Sequence, residues 1–208
     1  MANSQHVSII RQGVTAWNQW RKKNTEEQPD LRGANLSGEN LNGVDLRGCD
    51  LTRAKLNGVD LRGATLQGAN LHMVDLSRAE MAYANLKNTN LQEADLHEVN
   101  LSEANLMDAN LKKTKLIKAT LIRADLMGAD MREAALNGAN LGEADLSRAN
   151  LSEADLSESD LSGANFEEAI LTRASLKRAT LRETILIGVD LSTVDLSVVD
   201  LSEAVLNK

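Results

Sequence analysis

The chain has 208 residues, a net charge of −7 and an aromatic content of 2%. So few aromatic side chains exclude the mixed core that a globular domain of this length normally has, while abundant leucine and alanine exclude a disordered polymer. The negative charge argues against direct binding to nucleic acid or to an anionic membrane, since both need a positive surface.

The compartment is predicted from the cysteine content and from the N-terminal sequence. Cys49 is the single cysteine, so the chain cannot form an internal disulfide. The N-terminal residues lack the basic flank and apolar run of a signal peptide, and polar residues recur too often for the roughly 18 to 20 apolar residues of a membrane span. We therefore expect a cytoplasmic protein that does not contact a membrane.

Residues 4–23 are predicted to form an amphipathic helix, because apolar residues recur there at helical spacing. These residues are Val7, Ile10, Val14, Trp17 and Trp20. A polar run and Pro29 follow and should end the helix. We interpret residues 1–29 as a cap and linker that cover the open end of residues 30–208. A helix that binds a partner protein is the alternative.

From Leu31 to Leu206 a large apolar residue stands at every fifth position, thirty-six in all, without a break in the frame. The residue two places earlier is usually small and the residue directly before is usually Asp or Asn, which gives the pattern Ala-(Asp/Asn)-Leu-X-X. An α-helix would spread these leucines over all its sides, and a flat strand would alternate them between two faces. The chain must therefore turn every five residues, with the leucine and the small residue both pointing inward.

Tandem copies such as Ala149-Asn150-Leu151-Ser152-Glu153 resemble the pentapeptide-repeat family throughout residues 30–208. The resemblance implies an all-β solenoid, namely a right-handed, four-sided parallel β-helix with four repeats per coil. About nine coils at a spacing of about 4.8 Å would make a rod roughly 43 Å long. The leucine-centred pattern is similar to a family branch common in photosynthetic bacteria, so a bacterial origin is expected.

Eleven of the thirteen glycines lie two places after a central apolar residue, and most of them fall in the first two coils. A type II turn needs a positive φ at its third residue, which glycine adopts without steric cost. We expect type II turns in those coils and a different turn wherever Glu or Arg takes the same place.

The acidic residues do not indicate a catalytic or metal centre. Most of them share the frame position before the leucine, where short side chains bond nearby main-chain groups at turns. The three histidines are isolated, and Cys49 stands at an inward small position, so neither a triad nor a metal site is predicted. We therefore predict that the chain is not an enzyme and holds no metal or cofactor.

Outward-facing residues twenty apart should stack on neighbouring coils and pair opposite charges, as in the column Glu103, Arg123 and Glu143. Lysines border a set of outward apolar residues that we call the apolar belt, which consists of Met107, Ile117, Ile122 and Met127. An apolar centre with a charged rim is typical of a protein interface. The alternative is that single branched residues merely suit a β surface.

The last coil keeps the frame to Leu206, with larger residues such as Val194 and Val199 at the inward small position. An unpaired β edge is a template for docking, so a homodimer through this C-terminal coil is a further prediction.

The predicted function is that of a non-enzymatic scaffold for a protein partner still to be identified. The resemblance raises one alternative, since the quinolone-resistance members of the family are acidic rods that mimic DNA and modulate DNA gyrase. Those members often have Phe at central positions, whereas Phe166 is the sole central Phe here. Lys113, Lys118 and Arg123 also interrupt the acidic surface, so we favour the scaffold.

Overall fold

The computed structural model describes residues 2–206 and contains two helices followed by a β-solenoid. Helix α1 spans Ser4–Ile10 and helix α2 spans Val14–Lys23. The prediction of one continuous helix was wrong, because Gly13 has a φ of 101° and forms the N-cap of α2. Glycine reaches this conformation without steric cost. The predicted domains also included residues 1, 207 and 208, which lie outside the described residues.

The solenoid is held together by isolated parallel bridges between residues twenty positions apart, from Asp30↔Asp50 to Ile185↔Val205. We call twenty residues, or four repeats, a coil. Each repeat except that of Asp190 contributes one bridged residue, the one before the central apolar residue, so no extended strand forms within residues 2–206. Hydrogen bonds run both ways between coils: the N–H of Leu51 donates to the carbonyl of Asn70 (2.7 Å), and the N–H of Lys55 donates to that of Ala34 (2.8 Å).

The central apolar residues and the small residues fill the interior, which confirms their predicted inward orientation. A buried leucine contributes about 1.5–3 kcal/mol relative to an exposed one, so stability accumulates along the stack. Thr and Ser also occur at the small position, where their hydroxyls are satisfied within the turn. Thr89 Oγ1, for example, donates to the carbonyl of Leu86 at 2.7 Å.

The turns share one geometry along the solenoid. The third residue of each turn, from Gly33 to Glu203, has a positive φ, and Thr193 is the one exception among them. The N–H of Ala104 donates to the carbonyl of Leu101 (3.1 Å) across one such turn, which is the type II arrangement. The expectation of a different turn at Glu and Arg was therefore wrong: stacking imposes the left-handed conformation on them, at a cost of about 1–2 kcal/mol per residue.

Packing loosens in the last coil, residues 191–206. Its first three central leucines are only half-buried, and Leu206 is 54% exposed. At the Thr193 turn, the N–H of Arg173 donates to Thr193 Oγ1 at 3.1 Å. One coil earlier, the equivalent N–H of Glu153 donates to the main-chain carbonyl of Thr172 at 2.9 Å. The regular pairing of main-chain groups is therefore interrupted at this corner.

Candidate functional site

The stacking pattern gives the two edges of a coil different hydrogen-bonding character. In an inner repeat the carbonyls of Asp75 and Ser77 accept from the preceding coil, at Leu56 and Gly58, while only the N–H of Asp75 donates to it. The edge of the first coil therefore presents two acceptors for each donor in every repeat. A cover for this edge must be rich in hydrogen-bond donors, because unpaired main-chain groups that are buried are costly.

Helix α2 supplies such donors from its side chains. Trp17 is fully buried, and its Nε1–H donates to the carbonyl of Asp45 at 2.7 Å. Asn18 pairs in both directions: its Nδ2 donates to the carbonyl of Gly43 (3.1 Å), and its Oδ1 accepts from the N–H of Asp45 (2.9 Å). The contacts with the carbonyl and N–H of Asp45 replace those that a preceding coil would make.

Two arginines extend the same pattern. The Arg21 guanidinium donates to the carbonyls of Arg47 (2.7 Å) and Glu27 (3.0 Å). Arg11 donates to the carbonyl of Asn35 at 3.3 Å. The helices thus cover the acceptor edge on more than one side of the first coil.

Helix α1 is attached through His6, which is 3% exposed. Its Nδ1 accepts from the main-chain N–H of Asp30 at 3.0 Å, and its Nε2 lies 2.8 Å from Oε1 of Glu27. Because Nδ1 accepts a hydrogen bond, the ring hydrogen stands on Nε2 and donates to Glu27. The Trp20 ring packs beside it, with centroids 5.1 Å apart.

The residues predicted to form the cap all lie against the solenoid. Ile10 and Trp17 are buried, and the other three are half-buried against the core: Val7, Val14 and Trp20. The two helices fit the predicted cap. Sequence reasoning missed His6, Asn18 and Arg21, which make polar contacts. One usable signal was that Arg21 follows Trp17 by four residues and so lies on the same side of α2.

Paired charges two residues apart were also missed. Wherever Asp stands before the central residue and Arg directly after it, the arginine folds back onto the aspartate. This occurs at Asp30/Arg32, Asp45/Arg47, Asp60/Arg62 and Asp130/Arg132. The hydrogen bond from Arg32 lowers the pKa of Asp30 to about 2. These carboxylates are therefore ionised and paired at neutral pH, as structural groups would be.

The outer faces carry stacked charges, although not every predicted column is complete. Arg123 pairs with Glu143 at 2.9 Å, while Glu103 instead accepts a hydrogen bond from Tyr83 at 3.3 Å. Arg148 and Glu168 pair one coil apart, also at 2.9 Å. Exposed pairs of this kind contribute about 0.2–1 kcal/mol each, so they support the stack only modestly.

The apolar belt is half-buried between neighbouring coils. Met107 and Met127 lie one above the other, and the N–H of Asp108 donates to the carbonyl of Met127 at 3.0 Å. Ile117 and Ile122 belong to the two repeats before Met127, so the belt runs around the rod. The large apolar residues that are clearly exposed lie elsewhere, and they are Met73, Tyr83, Ile170, Val198, Val205 and Leu206.

The surface grooves are open to solvent and do not bring together the side chains of a catalytic or metal site among the described residues. One of about 330 Å³ lies beside Ser77, Arg78 and His97. Within residues 2–206 no three His, Cys or carboxylate side chains come together as metal ligands would. None of the helices in that range is long and apolar enough to cross a bilayer. Burial raises the pKa of the Cys49 thiol to about 12, which disfavours the reactive thiolate.

Comparison with known proteins gives a family and a fold. A family model described as pentapeptide repeats matches residues 30–68, 45–81, 69–106, 104–142, 129–167, 159–197 and 174–208. Comparison with curated proteins finds no match. The chain is similar to the solved structure of HetL, a pentapeptide repeat protein involved in heterocyst differentiation regulation from the cyanobacterium Nostoc sp. strain PCC 7120. The identity is 29%, and the TM-score is 0.53 over 91% of this chain and 96% of HetL.

A second solved structure is similar in fold alone. It is QnrB1, a plasmid-mediated fluoroquinolone resistance protein, with 19% identity and a TM-score of 0.51 over 84% of this chain and 90% of QnrB1.

Proposed function

This chain belongs to the pentapeptide-repeat family, and from that premise we propose that it is a non-enzymatic scaffold that binds another protein through its outer side chains. We further infer a right-handed, four-sided rod of about nine coils, at a spacing of about 4.8 Å. HetL takes part in the regulation of differentiation, and this likeness over most of both chains favours a regulatory protein as the partner.

The proposal rests on one observation, namely that the main-chain groups bond to neighbouring coils. Both the N–H and the carbonyl of Asp75 bond to the coil before it, and the central residues that fill the interior from Leu31 to Leu186 are buried. Outward side chains therefore remain for recognition. They stand at fixed intervals on a rigid support, as in other solenoids that bind proteins. A filled interior with open grooves favours such a platform over an enzyme.

DNA mimicry remains the alternative, and the charges of the middle coils argue against it. Lys115 Nζ lies 3.6 Å from Asp95 Oδ2, and the Arg123 guanidinium pairs with the Glu143 carboxylate. Basic residues thus interrupt the acidic surface on adjacent sides of the rod, where a DNA mimic would need continuous negative charge. The likeness to QnrB1 concerns the fold, and function lies in sites and not in folds.

We propose the apolar belt as the surface that the partner contacts. The experiment begins with partners cross-linked to the wild-type protein in lysate of the source cell and identified by mass spectrometry. A purified partner is then titrated calorimetrically with wild type and with the double variant Ile117→Lys and Ile122→Lys. We expect the variant to bind at least about tenfold more weakly, equivalent to about 1.4 kcal/mol.

The matched control is the double variant Ser157→Lys and Ser162→Lys, which adds the same charge at the same frame positions two coils later. Equal binding by the belt variant and this control would exclude the belt. Altered supercoiling of relaxed plasmid by gyrase in the presence of micromolar wild-type protein would instead favour the DNA-mimic alternative.

We also propose that two copies associate through the last coil. Val198 is 81% exposed and Leu206 is 54% exposed, and burial of apolar surface contributes about 25 cal/mol per Å². Sedimentation equilibrium should give a dimer at micromolar concentration that Val198→Lys converts to a monomer. Glu158→Lys, at the same frame position two coils earlier, should leave the dimer intact. A monomeric wild type over the whole concentration range would contradict the proposal.

A further inference from the structure

The cap contains a buried histidine with both ring nitrogens engaged. His6 Nδ1 accepts from the Asp30 N–H, and its Nε2–H donates to the Glu27 carboxylate. The arrangement requires the neutral ring with a single hydrogen on Nε2. Imidazole is also the side chain that ordinarily changes charge between about pH 5 and 8. A change in protonation would therefore act directly on the contact with Asp30.

Asp30 is the residue at which the solenoid begins. It forms the first bridge, with Asp50, and its carbonyl accepts from the N–H of Asn3 at 3.1 Å. The His6 contact thus ties α1 to a main-chain group that is fixed by the first coil. Helix α2 is attached separately, through Trp17, Asn18 and Arg21.

We propose that α1 is a proton-sensitive clasp, by which we mean that protonation of His6 breaks its hydrogen bond with the Asp30 N–H and detaches α1 from the first coil. Helix α2 stays bound to the first coil. A hydrogen on Nδ1 would face the Asp30 N–H, so two donors would meet at 3.0 Å and the hydrogen bond would be lost. A detached histidine can hold the proton freely. Docking of α1 therefore weakens as the pH falls, because the detached state binds the additional proton.

The charged groups around His6 leave this conclusion in place. The Glu27 carboxylate attracts a protonated ring, but its side chain is 45% exposed and can follow the ring outward, whereas the Asp30 N–H cannot. Arg21 contacts the carbonyl of Glu27 from α2. The Asp30 carboxylate is paired with Arg32 and has a pKa of about 2, so it keeps its charge between pH 8 and pH 5.

Detachment of α1 would uncover part of the acceptor edge of the first coil. Arg11, at the end of α1, would release the carbonyl of Asn35, and the buried side chain of Ile10 would reach solvent. Acidification would thus expose a segment of β edge with an apolar border, which can accept hydrogen bonds from a strand of another protein.

Hydrogen exchange tests the clasp on the full chain. Protection factors are measured from pH 8 to pH 5 and corrected for the intrinsic pH dependence of exchange. We expect protection of residues 7–10 to fall at least about tenfold at the acid end, with residues 17–21 unchanged. Tryptophan emission should show the same step, because both tryptophans lie in α2 and Trp20 packs on His6.

His6→Gln is the decisive variant, because a side-chain amide can accept from Asp30 and donate to Glu27 without titrating. It should keep α1 protected at pH 8 and abolish the step, while His72→Gln should leave the step unchanged. Protection factors of residues 7–10 that stay constant from pH 8 to pH 5 in the wild type would overturn the proposal, whether or not α1 docks normally in His6→Gln. A step that persists in His6→Gln would overturn it as well.

Discussion

The first coil and the last coil use the same repeat but meet the solvent differently. The first coil is covered by α2, whose Trp17 is fully buried and whose polar side chains bond to main-chain groups of its edge. In the last coil the first three central leucines are half-buried, and Leu206 and Val198 are exposed. The comparison teaches that the repeat specifies how coils stack, whereas closure of an end needs side chains from outside the repeat.

The corners of the first and later coils differ in a related way. Glycines such as Gly43 form most corners of the first two coils, whereas charged residues such as Arg123 and Glu143 occupy the same place later, with φ of 55° and 57°. The left-handed conformation costs these residues about 1–2 kcal/mol each. It also holds their side chains outward in stacked pairs. The middle coils therefore combine a strained corner with a charged surface, which the glycine corners lack.

Removal of Trp17 should have the largest effect on this contrast. Trp17→Ala deletes a buried ring and the donor to Asp45, so we expect the unfolding free energy in urea to fall by about 3–5 kcal/mol. The inward-facing residues of the first coil should then be as exposed to solvent as those of the last coil. Cys49, which is buried in the first coil, should react faster with a thiol reagent as the end opens.

Trp17→Phe separates the two contributions of the indole. It keeps an aromatic ring and removes the Nε1–H, so the loss should be about 1–2 kcal/mol. Trp20→Ala truncates a half-buried ring, so it should lower the unfolding free energy by less than Trp17→Ala does. Equal losses for Trp17→Ala and Trp20→Ala, with unchanged Cys49 reactivity, would show that Trp17 does not hold the cap in place.

The sequence predicts the interior well and the ends less well, for physical reasons. The five-residue spacing of leucines such as Leu101 has one packing solution, so burial could be predicted from spacing alone. The turn at Glu103 could not, because its positive φ is imposed by stacking against the local preference of glutamate. The break at Gly13 and the role of His6 depend on how the helices dock onto the first coil, a tertiary contact that periodicity does not encode.

A smaller effect is expected at the irregular corner of the last coil. Thr193→Gly should allow the positive φ of the other turns, so that the Arg173 N–H donates to the Ser192 carbonyl in place of Thr193 Oγ1. The regained main-chain hydrogen bond contributes about 0.5–1.5 kcal/mol and the added glycine costs about 0.5–1 kcal/mol. We therefore expect the unfolding free energy to change by less than about 1 kcal/mol, with slower amide exchange at Arg173. Thr172→Gly, one place earlier in the equivalent turn of the preceding coil, regains no hydrogen bond and should destabilise by about 0.5–1 kcal/mol. If Arg173 exchanges at the wild-type rate in Thr193→Gly, the loosening of this coil originates in its inward valines and not in its corner.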